Sequence, residues 1–152
     1  MIDRPPTLLA ALATLVAALL AVAGCGGSDD SAEGSLTKAQ FAKRADLICS
    51  NAASEQYKNA GLYLREHPEA DEAEMIEPVA IPPLEKQLKE LEELGLPREH
   101  EAEAEAFLQE FEEALGELKK DPEVAVSPGG NPFDQANRLA EKYEYGDCSQ
   151  SP

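Results

Sequence analysis

The chain has 152 residues, of which 30 are acidic and 13 are basic, so its formal net charge is −17 at pH 7. Its length allows one ordinary domain after an N-terminal segment is set aside. A surface this acidic repels nucleic-acid phosphates and anionic lipid head groups. We therefore expect no nucleic-acid partner, and any attachment to a membrane has to come from a lipid.

Residues 1–24 have the composition of a targeting segment. The first six residues hold Arg4 as their only base, and residues 7–24 carry no charge and consist mainly of Leu, Ala and Val. This apolar run is about long enough to span a bilayer, which needs about 20 residues, so an uncleaved transmembrane anchor is one alternative. An ordinary secretory signal peptide, in which Cys25 is incidental, is another.

The sequence VAGC, from Val22 to Cys25, favours a third interpretation. It resembles the lipobox of bacterial lipoproteins, in which a branched residue and two small residues precede a cysteine. The resemblance implies that the sulfur of Cys25 is diacylated, that the bond after Gly24 is cleaved, and that Cys25 becomes the N-terminus. Two acyl chains are enough for anchoring, at about 0.8 kcal/mol per buried CH₂. We therefore expect a lipid-anchored protein on the extracytoplasmic face of the cell membrane. Asp3 is the one departure from a basic start.

A flexible acidic tether is predicted over residues 25–36, because Gly, Ser and acidic residues dominate there and cannot build a core. We expect residues 37–148 to form the folded domain and residues 149–152 to form a short tail.

The first predicted helix begins at Thr37, which forms a capping box with Gln40. Apolar residues then recur at helical spacing on one face: Phe41, Ala45, Ile48, Cys49 and Ala52. Three further residues extend this apolar side: Tyr57, Ala60 and Leu64. Because a proline disfavours helix in the residue before it, Pro68 predicts a helix end near Glu66.

Three prolines interrupt the next segment, at positions 78, 82 and 83. Because an interior proline removes a backbone donor and clashes with the preceding turn, we expect one or two helical turns over residues 71–77. The main helix should then begin at Pro82 or Pro83. It carries a strict apolar stripe: Leu84, Leu88, Leu91 and Leu94. Gly95 is its predicted C-terminal cap.

Pro97 can open a third helix that ends before Asp121, with an inner face of Ala104, Leu108, Phe111, Leu115 and Leu118. A loop is predicted over residues 124–131. Asn131 should cap a fourth helix that ends at Gly146, with an inner face of Ala136, Leu139, Ala140 and Tyr143. No segment alternates apolar and polar residues as a strand does. The predicted fold is therefore all-α, a small antiparallel bundle of about four helices with a proline-interrupted second helix.

Cys49 and Cys148 remain once Cys25 is assigned to the lipid. On the exported side they lie outside the cytosolic reducing pool, where two thiols in a small domain favour a disulfide with only one connectivity. Two independent buried thiols are the alternative.

Both ends of the predicted domain resemble a group of small, uncharacterised lipoproteins of high-GC Gram-positive bacteria. The resemblance is carried by FAKRADLIC at residues 41–49 and ANRLAEKYEYGDC at residues 136–148. The group shares a lipobox, an AD-x-x-C motif in the first helix and a C-terminal helix followed by a cysteine. It supports the bundle and the disulfide, and it implies no activity. We interpret Asp46 of the motif as an exposed or capping acid, with a ligand role as the alternative.

The sequence offers few residues for catalysis or metal binding. The two histidines, His67 and His100, belong to no zinc motif, and neither has the Glu three residues upstream that a di-iron bundle uses. Phosphate-binding, calcium-binding and nucleophile-elbow motifs are also missing. We therefore expect no cofactor, no metal site and no enzyme activity, although catalysis by carboxylates alone stays a weaker alternative.

The sequence thus predicts a membrane-anchored, exported lipoprotein with a non-catalytic binding or envelope-structural role. The membrane, through the N-terminal lipid, and an envelope protein are its expected partners. The alternative is a small solute- or metal-ion-binding lipoprotein associated with a transporter. The sequence leaves the oligomeric state open.

Overall fold

The computed structural model describes residues 36–150. Its elements, in chain order, are α1 (Lys38–Glu66), α2 (Glu72–Met75), a π-helical segment (Ile76–Ala80), α3 (Ile81–Glu93), α4 (Glu101–Lys120), a 3₁₀ helix (Pro122–Val126), α5 (Asp134–Tyr143) and a C-terminal 3₁₀ helix (Asp147–Gln150). This part of the chain contains no strand, so the predicted all-α class is confirmed. The targeting segment, Cys25 and nearly all of the tether lie outside the described residues.

Neighbouring helices of the bundle run in opposite directions. The N–H of Arg98, just after α3, donates to the carbonyl of Leu36, just before α1, at 2.6 Å. Lys119, near the end of α4, forms an ion pair with Glu85, near the start of α3. These contacts join the beginning of one helix to the end of the next, which confirms the antiparallel bundle.

Helix α1 begins and ends as the sequence predicts. The hydroxyl of Thr37 accepts the N–H of Gln40 at 3.2 Å, and the Gln40 side chain accepts the N–H of Thr37 at 3.0 Å. The two bonds satisfy backbone donors that the first turn leaves without a partner. The helix ends at Glu66.

Only the first half of α1 is buried, and the apolar side that continues with Tyr57, Ala60 and Leu64 is not part of the core. The buried residues are Phe41, Ala45, Cys49 and Ala52. Tyr57 is 82% exposed and Leu64 is 38% exposed. The reason is that no other helix covers the second half of α1 completely. The α2 and π-helical segments lie beside it and leave an open groove between them.

The proline-interrupted second helix is confirmed, and the interruption is a π-helical segment rather than a break. The N–H of Ile81 donates to the carbonyl of Ile76, five residues earlier. Pro78, Pro82 and Pro83 have no N–H, so they cannot supply the bonds of a regular α-helix. The wider turn of the π-helical segment joins α2 to α3 where the regular α-helical hydrogen bonds are missing.

Helix α4 does not begin at Pro97, as the sequence suggested, but at Glu101. The N–H of Arg98 is committed to Leu36, and Glu99 has a positive φ of 68°. A residue in this left-handed region cannot continue a right-handed helix. The predicted end before Asp121 is confirmed.

Both predicted ends of the fourth helix are corrected. The Asn131 side chain accepts the N–H of Phe133 at 2.9 Å, which holds a turn, and α5 begins only at Asp134. At the other end Glu144, and not Gly146, takes the left-handed conformation, with φ at 68°. The N–H of Tyr145 then donates to the carbonyl of Ala140 at 2.8 Å, as in a Schellman motif. This reversal turns Tyr145 into the core.

Five aromatic side chains form the centre of the core. All are buried and meet edge to face in one series: Phe41, Tyr145, Phe107, Phe111 and Phe133. Aromatic pairs of this geometry add about 0.5–1.5 kcal/mol each beyond the area that they bury. The rings come from α1, from α4 and from the residues that flank α5. The series therefore holds three helices together.

Candidate ligand-binding groove

A disulfide joins α1 to the C-terminal 3₁₀ helix, in agreement with the prediction. Cys49 and Cys148 are 99 residues apart in sequence, and their Cα atoms are 5.1 Å apart. Both side chains are buried. The last residues of the chain are thereby fixed beside the middle of α1.

Asp46 supports the same junction from one turn earlier in α1. Its Oδ1 atom accepts the N–H of Asp147 at 3.1 Å, at the start of the C-terminal 3₁₀ helix. The interpretation of Asp46 as a capping acid therefore agrees with the structure. Ala45 is buried completely. In the AD-x-x-C motif, the alanine packs, the aspartate caps and the cysteine forms the disulfide.

Burial raises the pKa of Asp46 above its ordinary value of 3.8, and the charge of Asp147 acts in the same direction, while the hydrogen bond from the Asp147 N–H opposes both. The folded state thus holds this proton more tightly than the unfolded state. The contribution of Asp46 to stability is therefore largest below pH 3.8 and is lost as the pH rises through the raised pKa.

Replacing Asp46 with Asn is expected to remove this pH dependence, because the amide oxygen still accepts the Asp147 N–H and carries no charge. Compared with the Asn variant, the wild type should lose stability as the pH rises above 3.8. Asp46→Ala, which has no acceptor, should cost about 1 kcal/mol. Urea unfolding from about pH 3 to 7 measures both effects. A parallel pH dependence in wild type and Asn variant would contradict this account.

An open, mostly apolar groove of about 660 Å³ lies beside the disulfide. One wall is α1 from its middle onward, with Ser50, Ala53, Gln56, Tyr57 and Ala60. The opposite wall is formed by Glu72, Met75, Ile76, Val79 and Ala80. Ala125 and Val126 of the first 3₁₀ helix lie along it, in a stretch that the sequence predicted as loop. The volume lies in the range of small-molecule pockets.

Gln87 is a buried polar residue in this groove. It is 3% exposed, and its Nε2 atom donates to the Sγ atom of Cys49 at 3.2 Å. The sequence motifs do not identify this residue. The available signal was its spacing, since Gln87 follows Leu84 by three residues and precedes Leu91 by four, which places a polar side chain on an apolar face.

The charged residues that line the groove are both acidic. Glu72 lies on one wall and Asp147 lies near the disulfide. Within residues 36–150, neither carboxylate forms an ion pair with a lysine, an arginine or a histidine. The groove therefore presents oxygen acceptors and negative charge on an apolar surface.

Both histidines lie away from the groove. The Nδ1 atom of His100 is 2.9 Å from a carboxylate oxygen of Glu103, and the ring of His67 lies 4.4 Å from that of Tyr63. In the described part of the chain, no three His, Cys, Asp or Glu side chains come together as metal ligands. Nor is any helix there both long and apolar enough to cross a membrane.

The residues predicted from the sequence fall into three groups. Cys49 lines the groove, Cys148 is buried in the disulfide, and Cys25 lies outside the described residues.

No protein-family model, curated protein or solved structure that was compared with the chain matches it.

Proposed function

We propose that this chain is an exported lipoprotein, anchored by lipid on Cys25 to the extracytoplasmic face of the cell membrane, and that it has a non-catalytic binding role. The observation that carries the proposal is the VAGC sequence that ends at Cys25, after an apolar segment and before an acidic tether. The disulfide supports it, because disulfides persist outside the reducing cytosol.

The groove favours binding over an envelope-structural role. Its walls are mostly apolar, a few polar side chains line it, and its volume is about 660 Å³. Pockets for small molecules combine these same properties. Solute binding in association with a transporter is the second candidate function, and the groove supports its solute-binding part.

The non-catalytic part of the proposal is supported by the state of the cysteine sulfurs. A cysteine acts as a nucleophile only as a thiolate. The sulfurs of Cys49 and Cys148 are bonded to each other, so neither can form one. Asp46 has a structural partner in Asp147.

Metabolic labelling with a palmitate analogue tests the anchor. We expect the wild-type chain in its native envelope to take up label and Cys25→Ala to take up none. Ser31→Ala, a small change in the tether, is the matched control and should be labelled like the wild type. An unlabelled wild type, or label that survives Cys25→Ala, would contradict the proposal.

A further inference from the structure

We propose that the groove binds a small organic cation, in which an ammonium group is attached to an apolar body. This inference rests on the proposed binding role and names the class of ligand. Three independent properties of the groove lead to it: the apolar area, the amide acceptor of Gln87 and the sign of the charge.

The apolar area is left uncovered by the fold itself. Tyr57 is 82% exposed and Val126 is 43% exposed, and both line the groove. Met75 and Ile76 lie on the opposite wall. Methionine adapts its shape to different apolar partners, and an aromatic ring contributes a large contact area. An apolar ligand body would remove this surface from water.

The acceptor is the amide oxygen of Gln87. The one hydrogen bond that this side chain forms with the described residues uses its nitrogen, which donates to Cys49. The oxygen is therefore left as an acceptor in a side chain that is only 3% exposed. Gln87 lines the groove, and its oxygen is not fully enclosed by the protein, so a ligand in the groove can donate a hydrogen bond to it. An ammonium group has donors and no acceptor.

The charge of the groove favours a cationic ligand over a neutral or anionic one that also brings a hydrogen-bond donor. Glu72 and Asp147 contribute negative charge to the groove, and no Lys or Arg side chain lines it. The nearby base Lys86 is paired with Glu55 at 2.8 Å. The chain as a whole carries a net charge of −17. An anion is repelled by this field, whereas a cation is attracted.

Three probes that share one apolar body separate these contributions: phenethylamine, phenethyl alcohol and phenylacetate. The full-length chain is titrated with each, and amide chemical shifts are followed by NMR. We expect phenethylamine to bind about tenfold more tightly than phenethyl alcohol, with the largest shifts in α1 and the π-helical segment. Phenylacetate should bind more weakly than either.

Variants identify the groups responsible. Glu72→Gln and Asp147→Asn should each weaken phenethylamine binding about threefold and leave phenethyl alcohol binding unchanged. Glu105→Gln, an exposed acid on α4 outside the groove, is the matched control and should change neither. Gln87→Met, which removes the acceptor at similar volume, should weaken the amine and the alcohol alike. Thermal unfolding of each variant verifies that it is folded.

Equal affinity for the amine and the carboxylate would overturn the proposal. So would an absence of saturable amine binding, shifts that lie outside the groove, or the same loss of affinity in Glu105→Gln as in Glu72→Gln. These outcomes are separate from those of the anchor, because labelling at Cys25 is measured without any ligand.

Discussion

Replacing Cys49 and Cys148 together with alanine is expected to lower the free energy of unfolding by about 4 kcal/mol. The disulfide closes a loop in which the two cysteines are 99 residues apart, nearly the whole described domain. In the chain-entropy model, such a loop stabilises the folded state by at most about 4.7 kcal/mol, because it restricts the unfolded chain. This loss is a large fraction of the 5–15 kcal/mol by which a typical domain is stable.

Urea unfolding monitored by circular dichroism measures this loss, and the wild type under dithiothreitol should approach the double variant. Alanine is preferred to serine, because a buried hydroxyl would add a desolvation cost of its own. Ser54→Ala, an exposed position on α1, is the control and should change stability by less than about 0.5 kcal/mol. A double variant within about 1 kcal/mol of the wild type would show that the C-terminal segment is held by packing alone.

Phe107→Ala is expected to cost about 3–5 kcal/mol of unfolding free energy. The side chain is completely buried, and its ring lies 6.1 Å from that of Phe111 and 5.5 Å from that of Tyr145. Removing it opens a cavity in the middle of the aromatic series and separates α4 from the segment that follows α5. Guanidinium unfolding measures the change.

Tyr145→Phe is the control for this prediction, because it keeps the aromatic packing. The Tyr145 hydroxyl is buried without a hydrogen-bond partner among residues 36–150, and burial raises its pKa to about 12, with smaller contributions from Glu103 and Tyr143. Removing this hydroxyl should therefore be neutral or stabilising. A loss below about 1 kcal/mol in Phe107→Ala would contradict the central place of the aromatic series.

The sequence predicts well those features that depend on neighbouring residues. The capping box of Thr37, the helix end at Glu66 and the stop before Asp121 need contacts over only a few positions. Gly95, the predicted cap of the second helix, has a φ of 70° as a C-terminal glycine should. These helix ends depend on contacts within a few residues, so the sequence alone is enough to predict them.

The missed features depend on contacts between distant segments. The late start of α4 follows from the bond between Arg98 and Leu36, and the reversal at Glu144 serves to bury Tyr145 in a core that other helices supply. The aromatic residue at position 145 was visible in the sequence. Its place in the core was not, because three other elements determine it.

The groove is the feature that a sequence pattern predicts least well. Glu72 and Asp147 are far apart in the chain, and they line one groove because the C-terminal segment lies beside α1, where the disulfide and the bond to Asp46 hold it. The exposed half of α1 carries the same apolar spacing as the buried half. Periodicity predicts an apolar face, but it does not tell whether the protein or a ligand covers that face.

Intact-mass analysis of the natural protein, isolated from its own envelope, tests the central claim most directly. Our account predicts a chain that begins at Cys25 and carries two acyl chains on the sulfur of that residue. A chain that begins at another residue, or one that begins at Cys25 without acyl groups, would contradict it.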